Sequence, residues 1–301
     1  MKIAIVGANG YLARNLLQVA QQQGEYEITT YDRAAAQVDG YSKFQQVDIL
    51  DPQSVRNIDL NVAAVFMMVG RTGTADGFTD YNEFIDANER ALLNLLAEYR
   101  RQHSTARIIF PSTRLVYEGR FAPLDETAPK QFKTVYAIGK YAGEQYLQQF
   151  ARAYGVRYTI LRLCIPFGTL VPGASSYGTA EFMLSKARAG AAITLYGDGK
   201  LRRTFTYIKD VCDIMLRAAV EPACEDGIFN IGGLTYSLLE VAQIVAGNYG
   251  VGVEFVDWPP MALLLESGDT VFDDSRLTGA IGSTEFTTLP QWVTGSSPSR
   301  S

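Results

Sequence analysis

A doubly wound α/β fold, a parallel sheet with helices on both faces, is predicted by two features of this sequence. Its first half alternates apolar, β-branched segments with segments of helical periodicity, and a glycine-rich turn follows the first apolar segment. Parallel strands need crossover connections, which helices supply. In order, residues 2–8 (KIAIVGA) read as strand, 12–23 (LARNLLQVAQQQ) as helix, 27–32 (EITTYD) and 62–69 (VAAVFMMV) as strands. A long helix is predicted over 82–102, a strand at 107–112 (RIIFPS), a helix from Val135 to Tyr154 and a strand at 158–163 (YTILRL). From Pro166 the rhythm fades into Gly- and Ser-containing loops, a helix near 180–189, a strand and helix around 204–220, GIFNIGG at 227–233 and a helix at 237–249. The expected organisation is a doubly wound domain over 1–165 with part of 204–233 returning to it, a smaller interleaved substrate domain over 166–294, and a disordered tail at 295–301.

Composition narrows the function classes. The 301 residues are 47% hydrophobic, enough for a large core. The apolar run at 61–70 falls well short of the roughly 20 residues of a membrane span, and Met1 leads straight into a strand, so the expected location is the cytoplasm. A net charge of -5 with no basic run argues against a nucleic-acid partner. Cys164, Cys212 and Cys224 are far apart, lack a CxxC spacing and read as buried reduced thiols, with no metal site expected. The chain has 1 histidine, His103, in a polar stretch; Ser-His-Asp chemistry and histidine-based metal sites are thereby nearly excluded, and any proton donor has to be another residue type.

Two local patterns carry chemistry. In GANGYLA (7–13), Gly7 permits a tight turn, Gly10 lets backbone approach a pyrophosphate, and the helix that follows points its positive end at that charge. Asn9, Tyr11 and Leu12 belong to the same turn, and Gly70, after the strand at 62–69, is counted with them as cofactor-binding. Asp32 closes the second strand, where a carboxylate bonds adenosine ribose hydroxyls and favours NAD; neighbouring Arg33 leaves NADP open. In YAIGK (136–140), Tyr136 and Lys140 share a helix face, an ordinary pair in isolation. Behind a dinucleotide turn the pair becomes a candidate proton donor with its tuning cation, and Lys140 with an oxidised nicotinamide is expected to lower the phenol by on the order of 1–3 units from its usual value. Ser112 and Thr113, at the C-terminal end of a strand, offer a second hydroxyl for the substrate oxygen.

Seven segments, GANGYLA, VDILD (47–51), STRLVY (112–117), YAIGK, LRLCIPFG (161–168), GDGKLRRTFTYIKDV (197–211) and FNIGG (229–233), together resemble the extended short-chain dehydrogenase/reductase family, in its nucleotide-sugar epimerase, dehydratase and ketoreductase branch. The resemblance spans nearly the whole chain and implies a Rossmann fold. It implies Tyr136 as acid/base, Lys140 on the nicotinamide ribose and Thr113 orienting the substrate oxygen. It also implies Asp48 and Ile49 at adenine, Asn88 on the cofactor side of a central helix, and Arg203 on the diphosphate of a nucleotide-sugar substrate, with Arg114 also counted in the substrate site. In the resembling family the helices equivalent to 82–102 and 135–154 pair across a two-fold axis. A homodimer is therefore expected, through Leu92, Leu95, Leu96, Tyr99, Tyr141, Tyr146, Leu147 and Phe150.

The departures select among reactions. Where 4,6-dehydratases carry Asp-Glu after the threonine, this chain has Arg114-Leu115, which disfavours dehydration and decarboxylation; Leu115 also replaces the cysteine of the branch that combines 3,5-epimerisation with reduction. Ile165 stands where many relatives place an asparagine on the diphosphate, and Glu118 gives a VYEG stretch similar to deoxysugar ketoreductases. The expectation is a 4-keto-6-deoxyhexose reductase acting on a nucleotide sugar. Its alternatives are a nucleotide-sugar 4-epimerase with tightly held NAD and, from another class, a redox-sensing NAD(P)-binding module, which typically lacks the tyrosine–lysine pair.

Overall fold

Strands buried on both faces need continuous apolar runs, and IAIV, AVFM and RIIFP supply them. The computed structural model describes residues 1–174 and 178–295. In chain order it contains β1 (Lys2–Val6), α1 (Tyr11–Gln23), β2 (Glu27–Asp32), β3 (Phe44–Gln46), β4 (Ala64–Met67), α2 (Tyr81–Ile85), α3 (Ala91–Arg101), β5 (Arg107–Thr113), α4 (Val135–Tyr154), β6 (Arg157–Leu163) and β7 (Ile165–Phe167). There follow α5 (Thr179–Arg188), β8 (Ile193–Tyr196), β9 (Arg202–Tyr207), α6 (Ile208–Val220), β10 (Gly227–Asn230), β11 (Leu234–Ser237), α7 (Leu238–Tyr249), β12 (Val253–Val256), α8 (Pro260–Leu265), α9 (Ser275–Ile281) and α10 (Leu289–Gly295).

The main sheet has seven parallel strands in the order β10-β6-β5-β4-β1-β2-β3, so strand order reverses at β1 and leaves a crevice at the C-terminal strand ends. Ile3 and Ile5 face the core under α1 and α6, while Ala4 and Val6 face the one under α3 and α4. A third core, built on Phe167, Phe205, Val241 and Trp292, holds a three-stranded sheet, β11-β9-β7, and the pair β12-β8 together with α5, α7 and α10. Cys164, Cys212 and Cys224 are all buried and free. Among the described residues, no helix is long and apolar enough to cross a membrane.

Three expectations are corrected. The helix predicted over 82–102 is interrupted by a π-helical turn at Asp86–Arg90, an insertion that a three-to-four residue periodicity does not register. Leu92, Leu95, Leu96, Tyr99 and Leu147, expected at a dimer face, are the buried core of the protomer against β4, β5 and β6; Tyr146 and Phe150 are half-buried beside them, and Tyr141 is half-buried against the third core. Gly295, assigned to the tail, ends α10; the rest of that tail, 296–301, lies outside the described residues.

Candidate active site

The turn after β1 is shaped by backbone. Gly7 has φ +88, and a Cβ there would meet the Val69 nitrogen at 2.8 Å, so only glycine fits. Gly10 begins α1 with no side-chain cap, which leaves the first N–H groups of the helix for an anion. Tyr11 donates its hydroxyl to the Gly168 carbonyl at 2.6 Å, and Leu12 packs on the core, so these two side chains fix the helix start. The Asn9 N–H donates to Asp32 Oδ2 at 3.0 Å, bringing the Asp32 carboxylate onto the glycine turn, whereas Arg33 points out and is exposed. Val47 N–H donates to the Asp32 carbonyl at 2.8 Å and thereby sets Asp48 and Ile49 beside the end of β2. Asp48 is exposed and caps Leu50 N–H at 3.0 Å, while Ile49 is buried.

Across the crevice, Gly70 follows β4. A Cβ at Gly70 would lie 3.0 Å from Asn88 Oδ1 and 3.3 Å from Lys140 Nζ, so the three meet at one point. Asn88, in the π turn, donates to the Arg71 carbonyl at 3.0 Å, and its buried Oδ1 has no hydrogen-bond partner among the described residues. An orphaned acceptor, a buried ammonium and an uncapped helix start along one crevice fit a nicotinamide dinucleotide.

Thr134 caps α4 by accepting the Ala137 N–H at 3.0 Å, and Gly155 closes it in a left-handed conformation. Tyr136, Lys140 and Glu144 then fall on one face. Tyr136 is half-buried and hydrogen-bonded to the Thr113 hydroxyl at the end of β5. Burial pushes its phenol up to about 12, and the influences pulling it down are Thr113 and the charge of Arg114. Of the two lowering influences expected, Lys140 is not among those acting on the phenol, and the oxidised nicotinamide belongs to the loaded enzyme. Lys140, 5% exposed, is itself pushed down to about 8 by burial, against the opposing charge of Glu144.

The buried ammonium gives a stability prediction. Lys140 has a folded value near 8 and an ordinary one of 10.5, so below pH 8 the folded state carries a penalty that disappears as pH rises to 10.5. Lys140→Met is therefore expected to stabilise the cofactor-free protein by about 3 kcal/mol at pH 7. That gain should vanish by about pH 10.5. Urea unfolding of both proteins across this range checks it, and a gain independent of pH would contradict it.

Under α4 runs a buried network that the sequence reading missed. Glu144, 0% exposed, receives Arg162 Nη2 at 2.6 Å and Nε at 2.9 Å and accepts the Ser112 hydroxyl. Arg162 Nη1 reaches the Tyr117 hydroxyl at 2.7 Å, which donates to Asn230 Oδ1 at 2.7 Å. Burial works against the Arg162 charge, and Glu144 more than reverses this, holding the guanidinium above its ordinary value. The spacing of Glu144, four past Lys140, was the available signal. Arg14, paired through two nitrogens with Asp39, was also missed; it fastens the loop after β2 to α1.

Arg114, directly after β5, and Arg203, from β9, come together in one cluster. Both are buried, at 9% and 5% exposure, with Glu266, Ser267 and Thr270 from a distant stretch of chain. Burial, and next the charge of Arg203, lowers Arg114 to about 10. Ile165 is buried in β7 beside this cluster's strand β9 and offers no polar group. Among the described residues, no group of three or more His, Cys, Asp or Glu side chains is placed to hold a metal ion.

The fold that carries this crevice has counterparts in known proteins. CDP-paratose 2-epimerase of Salmonella typhi is 24% identical, over 93% of this chain and 94% of its own. The UDP-glucose 4-epimerase of Thermus thermophilus, solved with NAD, superposes with a TM-score of 0.84 at 23% identity, covering 98% of each chain. The dTDP-glucose 4,6-dehydratase of Streptomyces venezuelae gives 0.84 at 19% identity, covering 98% of this chain and 96% of its own. The model of the NAD dependent epimerase/dehydratase family matches residues 3–232, most of the sequence and every element of the crevice. The chain belongs to that family.

Proposed function

We propose that the protein carries out oxidoreduction at a ring carbon of a nucleotide-activated sugar, in the first place reduction of a 4-keto group, with Tyr136 as proton donor. The observation that carries this reading is the Tyr136 phenol, hydrogen-bonded to Thr113 beside the dinucleotide crevice and kept protonated far above neutral pH. A ketone gaining hydride needs a proton on its oxygen, and a protonated phenol supplies it. Bound NAD supplies the hydride-exchange chemistry. Gly7, Asn9, Gly10, Tyr11 and Leu12 would hold its pyrophosphate, Asp32 its adenosine ribose, Asp48 and Ile49 its adenine, and Gly70, Asn88 and Lys140 its nicotinamide half. Thr113 orients the substrate oxygen, Arg203 binds the diphosphate, and Arg114 lies between them.

A second reading, 4-epimerisation, is favoured by the relatives named as 4-epimerases; Tyr136 then takes the proton and returns it while the sugar turns over. Denaturing the purified protein and measuring released cofactor separates the two. A vacant or exchangeable site, with NADH consumed on adding a nucleotide 4-keto sugar, supports reduction. One NAD retained per chain, with no net NADH consumption, supports epimerisation. Binding of neither cofactor at saturating concentration overturns both.

We further propose a homodimer. After the core residues are set aside, α2 and α4 still expose Tyr81, Ile85 and Ile138. These are the apolar positions available to a helix-pairing two-fold interface. Light scattering at micromolar concentration should give twice the 33.1 kDa of the chain; a monomer mass refutes the proposal.

A further inference from the structure

Two buried arginine–glutamate pairs in this chain are built differently. Glu144 takes two nitrogens of Arg162, Nε and Nη2, and the two side chains are 0% and 2% exposed. Glu266 takes one nitrogen of Arg203, Nη2 at 2.7 Å, and its side chain is 15% exposed. The buried Nε of Arg203 has no hydrogen-bond partner among the described residues. Beside it, Arg114 Nη1 donates to hydroxyls, Ser267 Oγ at 2.7 Å and Thr270 Oγ1 at 3.4 Å. A single carboxylate therefore faces two guanidinium groups, and the cluster keeps an excess of positive charge and a spare donor.

The backbone around Glu266 divides into a fastened part and a loosely held one. From Ser267 onward it is fastened. The Ser267 carbonyl packs so closely on Gly119 that a Cβ there would lie 1.9 Å from it, Arg120 N–H donates to the Asp269 carbonyl at 3.0 Å, and Thr270 N–H donates to the Arg202 carbonyl at 2.9 Å. Before Glu266 stands α8, in which Leu265 is buried but Met261, Leu263 and Leu264 are each more than half exposed. Lys133 Nζ donates to the Glu266 carbonyl at 2.5 Å, and Gly268 N–H donates to Glu266 Oε1 at 3.0 Å. The Glu266 side chain can thus leave Arg203 while Ser267 and Thr270 keep their hold on Arg114. A carboxylate and a diphosphate on one guanidinium repel strongly where water is excluded. Two buried cations with no anion are equally unfavourable. A carboxylate that is present when the site is empty and absent when it is loaded meets both demands.

We propose that Glu266 is an internal stand-in for the substrate's diphosphate: its carboxylate occupies Arg203 in the empty protein and is displaced when the diphosphate settles on Arg203 and Arg114 together. This rests on the nucleotide-sugar reading. Glu266 then keeps the arginine pair in place at the cost of weaker substrate binding, and its departure couples binding to the loosening of α8.

The test is calorimetric titration of the NAD-loaded wild type and Glu266→Gln with UDP, dTDP, CDP, GDP and ADP, with the nucleoside matching the tightest of them as control. Glutamine keeps an oxygen for Arg203 and removes the charge. The variant is expected to bind the diphosphate at least about tenfold more tightly than wild type, with nucleoside affinity unchanged. Hydrogen exchange of the wild type gives a second readout that needs no variant: the amides of 261–266 should exchange faster with the diphosphate bound than without it. Equal or weaker diphosphate binding by the variant overturns the proposal and makes Glu266 a fixed part of the site. An equal gain for the nucleoside also overturns it, as does slowed or unchanged exchange over α8. The nucleotide-sugar reading survives each of these results. If all of the diphosphates fail to bind wild type and variant alike, the nucleotide-sugar reading itself falls, and this inference with it.

Discussion

Replacing Tyr136 with phenylalanine is expected to lower turnover by about 10²–10⁴ while binding of NAD and of the nucleotide sugar persists. The substitution removes one oxygen and keeps the ring that packs at the crevice. Thr113 loses a partner but still accepts the Leu115 N–H at 3.3 Å, so the end of β5 keeps its shape. The pH profile of the wild type sharpens the assignment. With the phenol held near 12, Tyr136 stays protonated throughout the accessible alkaline range, whereas Lys140 loses its proton near 8. The rate of keto reduction should accordingly fall as pH rises through about 8, from loss of the Lys140 charge, and not again before the phenol titrates. Single-turnover rates across pH 6–10 for wild type and variant provide the measurement, and activity of the variant within tenfold of wild type would remove Tyr136 from the mechanism.

Glu144→Ala should cost about 3–5 kcal/mol of stability, because it strands the Arg162 guanidinium, 2% exposed, without its counter-charge. The Ser112 hydroxyl loses its acceptor in the same step. The double variant Glu144→Leu with Arg162→Met removes both charges and is expected to recover most of that loss, since an apolar pair of similar volume carries no unpaired ion. Urea unfolding midpoints, with unchanged dependence on denaturant, report both values. Equal destabilisation in single and double variants would show that the pair contributes through packing and not through charge.

The elements legible in the sequence were those whose signal is local. The bounds of α4 and β2 match the sequence reading, α4 because Thr134 and Gly155 punctuate it and β2 because turn residues flank it. Unread elements, such as β7, β8, β11 and β12, are only three or four residues long and exist because a strand remote in sequence pairs with them. The same division holds at the site. GANG and YAIGK are contiguous, so residue type and spacing exposed them. Arg114 meets Ser267 across 153 positions, and no local pattern announces Glu266 or Thr270. The burial that raises the Tyr136 phenol was not legible for a related reason: a sequence shows which charges are near in the chain, not how much water the fold takes away.

The return of β10 to the edge of the main sheet sets a clock on the protein's birth. β6 leaves the ribosome with one edge unpaired, because its neighbour, Gly227–Asn230, is encoded roughly 65 residues later. At about 5–20 residues per second this interval lasts roughly 3–13 s. During it Tyr117 lacks Asn230, and Arg107 and Arg157 lack Glu225. The nascent chain therefore presents an apolar strand edge, with unsealed polar groups behind it, to whatever else is in the cell. Pausing of translation between β6 and β10 would lengthen that exposure, and a chaperone that shields strand edges would have its best opportunity there.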